Sequence, residues 1–247
     1  AGKTFTKRMT SQNIMAVVAM ESSTRNVISL RDKIDGAVLQ WEVPEDGEWT
    51  VMLFTCVADG DPNVDYLSAE AVQLFVNDTH QAYYDRFADA FGTTITSTFF
   101  DEPTMYRANG RMWTPDYNAR FEKKYGFSPE TLYPALWYEI GEKTAAARNM
   151  LFGLRTQLYA EGFMKTIADW AEAQGILSTG HQDQEEIVNP VGVSGDLMLV
   201  GKYMSMPGID KIGGDRPAEH FYKVVSSSAN NWDKTYVMSE TYGDMGN

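Results

Sequence analysis

The sequence predicts an α/β protein, a (β/α)8 TIM-type barrel present as an incomplete segment. Three observations carry that expectation. Short apolar strands alternate with long helical stretches, which implies βαβ units around a parallel sheet. No Gly-rich phosphate loop follows an early strand, and Gly192-Val193-Ser194-Gly195-Asp196 lacks the dinucleotide spacing, so a nucleotide-binding doubly wound sheet is disfavoured. Polar residues collect where strands stop, as they do at the C-terminal face of a barrel.

The elements follow in order. Residues 14–20 (IMAVVAM) read as a short buried strand. Residues 36–41 and 48–58 flank the turn Pro44-Glu45-Asp46-Gly47 and read as a hairpin or as two strands about a tight turn. Ser68 is a candidate N-cap for a helix over 69–91, with Glu70 in its first turn and Gly92 as its stop. A strand over 93–100 follows, then a helix near 115–125 closed by Gly126. The stretch 141–174 reads as a long helix with Gly153 and Gly162 as kink sites and Gly175 as its end. Strands at 176–179 and 197–200, a helix at 217–228 and a strand at 236–239 complete the chain. Residues 1–60 are a β-rich lead-in, and 1–247 reads as one catalytic barrel segment.

Composition narrows the function classes. A net charge of −13, from 34 acids against 21 bases, argues against nucleic acid, because phosphate binding needs clustered Lys and Arg. No apolar run approaches the ~18–20 residues that span a bilayer, and no signal peptide is visible. The single cysteine, Cys56, excludes an internal disulfide and a Cys-based zinc site, and its apolar run suggests a small buried thiol. The chain starts without Met and stops just after a strand, so it reads as a segment of a longer protein.

Three strand ends carry the candidate chemistry. The strand ending at Phe100 runs into Asp101-Glu102-Pro103. The strand at 176–179 runs into Gly180-His181, with Asp183, Glu185 and Glu186 just beyond. The strand at 236–239 ends on Glu240. In a barrel these ends converge whatever their sequence separation. Carboxylates gathered in an aromatic-walled pocket are what glycoside hydrolysis needs, one protonated to donate to the leaving oxygen and one ionised to attack or to activate water. Taken singly, each acid reads equally as a solvated loop residue and His181 as a structural histidine. His80 and His220, in expected helices, read as structural. The loop Asp59–Asp65 with Glu70 places acids or Asn at calcium-loop positions, but Val64 stands where the sharp turn needs Gly, so it reads as a polar lead-in to a helix.

The same residues resemble a known family. Val64-Asp65-Tyr66-Leu67-Ser68, Phe100-Asp101-Glu102-Pro103, Gly180-His181, Pro207-Gly208-Ile209-Asp210 and Ser239-Glu240-Thr241-Tyr242-Gly243 resemble segments of glycoside hydrolase family 106, the α-L-rhamnosidase type. The resemblance implies a catalytic barrel in a secreted or periplasmic protein, cleaving glycosidic bonds in an oligo- or polysaccharide. It also implies an inverting carboxylate pair and dependence on Ca2+, at a site the motifs do not locate. Carried onto this chain, Glu102 is the general acid and Glu240 the partner carboxylate. Asp101, His181 and Glu185 or Glu186 line the sugar subsite, and Trp113, Tyr106, Tyr203 and Tyr242 are candidates to stack on sugar rings. No metal ligand is required for the carboxylate chemistry. Two alternatives remain: a metal-dependent hydrolase with Asp101, Glu102, His181 and Glu240 as ligands, and a barrel that binds carbohydrate without cleaving it.

Overall fold

The computed structural model describes residues 2–58, 64–103, 105, 111–183, 185, 190–211 and 221–241. The chain divides into two compact units, residues 1–60 with 113–154 and residues 61–112 with 155–247. The β-rich lead-in therefore shares a unit with a later, mostly helical stretch.

The lead-in contains β1 (Thr4–Arg8), β2 (Ile14–Glu21), β3 (Val27–Ser29), β4 (Ile34–Asp35), β5 (Val38–Glu42) and β6 (Trp49–Thr55). The apolar run of β2 makes it a buried central strand, antiparallel to β3 on one side and β6 on the other. A second antiparallel sheet has the order β1-β5-β4. β5 and β6 thus flank the expected turn without pairing, so two strands form there and no hairpin does. The alternation of β5 explains the split. It turns Leu39 and Trp41 inward, where they pack with Met9, Val17, Ala19 and Leu30. Cys56, just past β6, is only partly buried, and its N–H donates to Asn13 O at 3.0 Å.

β2 ends on the buried Glu21. Its Oε2 accepts from the N–H and the hydroxyl of both Ser23 and Thr24, at 2.5–3.0 Å. Those bonds, Thr24's first and Ser23's next, lower its pKa to about 2.

The second unit opens with α1 (Ala69–Asp78) and α2 (His80–Phe87). Ser68 caps α1 as expected, its Oγ accepting from the Ala71 N–H at 3.2 Å. The expected single helix breaks at Thr79, whose hydroxyl donates to Phe75 O at 2.7 Å and meets His80 Nδ1 at 2.8 Å. His80 is structural here: it packs against Phe75 and Trp170, and burial lowers its pKa. β7 (Ser97–Phe100) is shorter than expected, because Gly92 (φ +74°) opens a tight turn in which its N–H donates to Ile95 O.

In the first unit, α3 (Tyr117–Tyr125) closes at Gly126 with φ +81°, as the sequence suggests. The long helix expected over 141–174 is α4 (Thr144–Tyr159), a π-helical turn (Ala160–Lys165) and α5 (Thr166–Ala173). Gly153 lies within the continuous α4. Gly162 sits in the π turn because a Cβ there would lie 2.6 Å from Tyr66 O. Gly175 ends α5 with φ +72°.

After β8 (Leu177–Gly180), the strand expected at 197–200 is instead α6 (Leu197–Tyr203). A short apolar run does not by itself distinguish strand from helix. Asp196 decides the matter, its Oδ1 accepting from the N–H groups of Met198 and Leu199. β9 (Gly208–Lys211), α7 (Phe221–Asn231) and β10 (Met238–Thr241) follow. Residues 217–220 of the expected helix, with His220, lie outside the described residues, as do Asp59 to Asn63 of the polar loop.

β7 pairs with β8 and β9 with β10, all parallel, and a parallel Thr179–Met206 bridge links the two pairs. The order β7-β8-β9-β10 with intervening helices fits the expected βα pattern. No closed barrel forms among the described residues: four parallel strands are half of the eight that closure takes. Close packing sets the centre of this sheet. A Cβ at Gly180 (φ +150°) would collide with Phe100 O, and one at Gly208 with Gly180 O.

Candidate active site

The β7–β8 register fixes the first half of the site. Phe100 faces Gly180, so Asp101 and His181 leave neighbouring strands side by side. Glu240, in β10, pairs in register with Asp210 of β9. Parallel strands put these ends on one edge of the sheet.

His181 is the hub, 1% exposed. Its Nε2 lies 3.1 Å from Glu240 Oε2 and 3.3 Å from Asp101 Oδ1. Its Nδ1 lies 3.2 Å from Gln182 O and 3.8 Å from Glu185 Oε1. Every one of these partners is a hydrogen-bond acceptor. A proton on Nδ1 serves Gln182 O and a proton on Nε2 serves Glu240, so a singly protonated ring leaves one contact without a donor. Asp101 and Glu240 keep 71% and 40% of their side chains exposed, so both carboxylates reach solvent from a buried base.

One ligand atom each from Asp101, Glu102 and His181 lie within 4.8 Å of one another. Glu102, with a carboxylate oxygen within 4.8 Å of a ring nitrogen, and Glu240, at 3.1 Å from Nε2, thus both approach the same imidazole. Glu102 also has φ +45°, uncommon for a residue with a Cβ, and it precedes Pro103, which further restricts its backbone. Backbone held in such a conformation persists only where its surroundings enforce it.

The other sequence candidates divide. Glu185 is buried beside His181, and its Oε1 accepts from the Gln182 N–H at 2.8 Å. It thus holds the His181–Gln182 segment, and together with Gln182, Val200, Gly208 and Ile209 it lines a small pocket. Trp113 belongs to the first unit, where its indole N–H donates to Tyr133 OH at 2.9 Å and its ring packs 4.2 Å from Tyr117. Tyr203 lies on α6 with its hydroxyl 3.5 Å from Glu161 Oε1. Burial, and then Glu161, raise its pKa. Glu186, Tyr106 and Tyr242 lie outside the described residues. Sequence reasoning missed Tyr159 and Gln182, both buried beneath the cluster. Only the adjacency of Gln182 to His181 hints at it.

Could Ca2+ sit here? Calcium takes six to eight oxygen ligands, whereas Asp101, Glu102 and His181 supply a nitrogen among few carboxylates. That donor set suits a nitrogen-tolerant transition metal better than calcium.

Fold and site together define an α/β protein with carboxylates and a buried histidine at the ends of parallel strands. The chain belongs to glycoside hydrolase family 106: the family described as alpha-L-rhamnosidase matches residues 2–242. It is 26% identical over 183 residues to a protein of Formosa agariphila provisionally named a β-glucuronidase, covering 67% of this chain and 15% of that one. Its fold is similar to the solved structure of a rhamnosidase from Novosphingobium sp. PP1Y, with a TM-score of 0.64 and 20% identity, over 92% of this chain and 23% of that one. The chain thus spans less than a quarter of the length of either relative. Among the described residues, no helix is long and apolar enough to cross a membrane.

Proposed function

We propose that this chain carries the acid–base site of a glycoside hydrolase acting on an oligo- or polysaccharide, with an α-L-rhamnoside as the first substrate to test. The observation that carries the reading is the approach of both Glu102 and Glu240 to one buried imidazole at the ends of parallel strands. Family membership supports it.

In this reading the Glu102 carboxyl donates its proton to the glycosidic oxygen as the bond to the anomeric carbon breaks. The Glu240 carboxylate takes a proton from water as the water oxygen bonds to that carbon. His181 holds Glu240 in place, and Asp101 contacts sugar hydroxyls from its exposed position. The product sugar leaves as the free hemiacetal. No step passes through a metal ion.

The test is Glu102→Gln in the full-length protein, assayed on p-nitrophenyl α-L-rhamnoside and on rhamnose-containing polysaccharide. Turnover falls by roughly 10²–10⁴-fold with the fold intact. Unchanged turnover on a substrate that the parent cleaves rejects the assignment. Binding of glycan without release of reducing ends identifies a non-catalytic carbohydrate-binding protein.

The juxtaposition of Asp101, Glu102 and His181 favours one second reading, a metal-dependent hydrolase. Chelation followed by add-back of single divalent ions separates the two. Activity lost with chelator and restored by one transition metal supports that reading.

A further inference from the structure

Tyr159 closes α4 directly beneath the two site loops, fully buried. Its hydroxyl lies 2.8 Å from Pro103 O and 2.6 Å from Gln182 Oε1. Pro103 is the residue after Glu102, and Gln182 the residue after His181. The hydroxyl therefore joins the loop that leaves β7 to the loop that leaves β8, one residue beyond each functional side chain. β-sheet pairing stops at Phe100 and Gly180. Beyond it, the His181 N–H makes a long contact to Phe100 O at 3.3 Å, and farther along the Met105 N–H donates to Val193 O at 2.9 Å.

The chemistry of this bridge is constrained. Burial first, then the nearby Tyr66, Glu185 and Asp183, raise the Tyr159 pKa well above its ordinary value, so the phenol keeps its proton. One proton serves one acceptor. At any moment it is donated to either Pro103 O or Gln182 Oε1, the two acceptors within its reach. The ring is locked in turn, stacked on Phe163 at 6.3 Å and edge-on to Tyr66 at 6.3 Å. A rigid buried donor thus fixes the carbonyl next to the strained Glu102 backbone.

We infer that Tyr159 is the positioning residue of this site, holding the Asp101–Pro103 segment against His181–Gln182 so that Glu102 meets the imidazole in a set geometry. Its role in turnover rests on the proposed acid function of Glu102, whereas its role as a tie between the loops does not. Tyr159→Phe keeps the ring packing and removes the bridge.

The experiment uses the full-length protein. Hydrogen exchange is followed in peptides covering 99–103 and 179–183, beside kcat and KM on p-nitrophenyl α-L-rhamnoside. Tyr159→Phe speeds exchange in both peptides at least severalfold and lowers kcat by roughly 10–100-fold, as expected for a displaced catalytic group, with KM within about threefold. Gln182→Met, which leaves the Pro103 bond in place, moves both readouts the same way but less. It also keeps the test decisive should the phenylalanine variant fail to fold: exchange unchanged at 99–103 and 179–183 in every folded variant overturns the inference. Faster exchange combined with normal turnover in both Tyr159→Phe and Glu102→Gln leaves the tie standing and overturns the functional reading instead.

Discussion

His181 Nε2 stands 3.1 Å from Glu240 Oε2, and the two residues come from strands that are not paired with each other. β9 pairs with β10, and the Thr179–Met206 bridge joins β8 to the segment that enters β9, so the contact reaches past β9 at the carboxyl edge. The imidazole is buried and the carboxylate half-exposed, which lets a solvent-facing acid be oriented by a group that cannot move.

Glu240→Gln keeps the shape of the side chain and removes its basicity. Turnover of the full-length protein falls by roughly 10²–10⁴-fold with little change in KM. Replacing His181 by Asn lowers kcat less, because Glu240 remains but loses the donor at 3.1 Å. Steady-state kinetics on one substrate with both variants checks the order of the two effects.

Glu21 makes stability depend on acid. Its pKa falls to about 2 in the folded chain from an ordinary 4.5, so the folded state binds its proton less readily than the unfolded one. The stabilisation is complete above about pH 4.5 and disappears as pH falls through about 2. Melting temperatures of the parent and Glu21→Gln therefore differ at neutral pH and converge between these values. A constant gap across the series contradicts the assignment.

Gly180→Ala places a methyl against Phe100 O at the pair that launches both site loops. Overpacking of this kind costs about 1–3 kcal/mol, visible as a lower urea midpoint. Activity falls further than stability accounts for, since His181 follows directly.

Ser68→Ala removes the acceptor for the Ala71 N–H at the start of α1. The loss is about 0.5–2 kcal/mol, with kcat unchanged, because α1 carries none of the site residues. Chemical denaturation beside a kinetic assay separates this variant from Gly180→Ala.

Local chemistry was legible in the chain. Ser68 as a cap, the glycine stops at 92, 126 and 175, the helix ending at Tyr125 and the strands ending at Phe100 and near Gly180 all depend on bonds within a few residues, which spacing and residue type encode. So did the acids at strand ends, since a parallel sheet gathers them on one edge. Tertiary structure decided the rest. Gly162 reads as a kink site, yet its reason is the backbone of Tyr66, almost a hundred residues earlier. Residues 197–200 read as a strand until Asp196 turns to cap them as a helix. Trp113 reads as a candidate sugar platform, and it is tertiary structure that brings Tyr133 and Tyr117 against it in the first unit. The Tyr159 hydroxyl reaches Pro103 and Gln182 across 56 and 23 positions, and no period in the sequence marks it. Contacts closed by folding leave no local pattern, because their energy depends on which surfaces meet and not on which residues are neighbours in the chain.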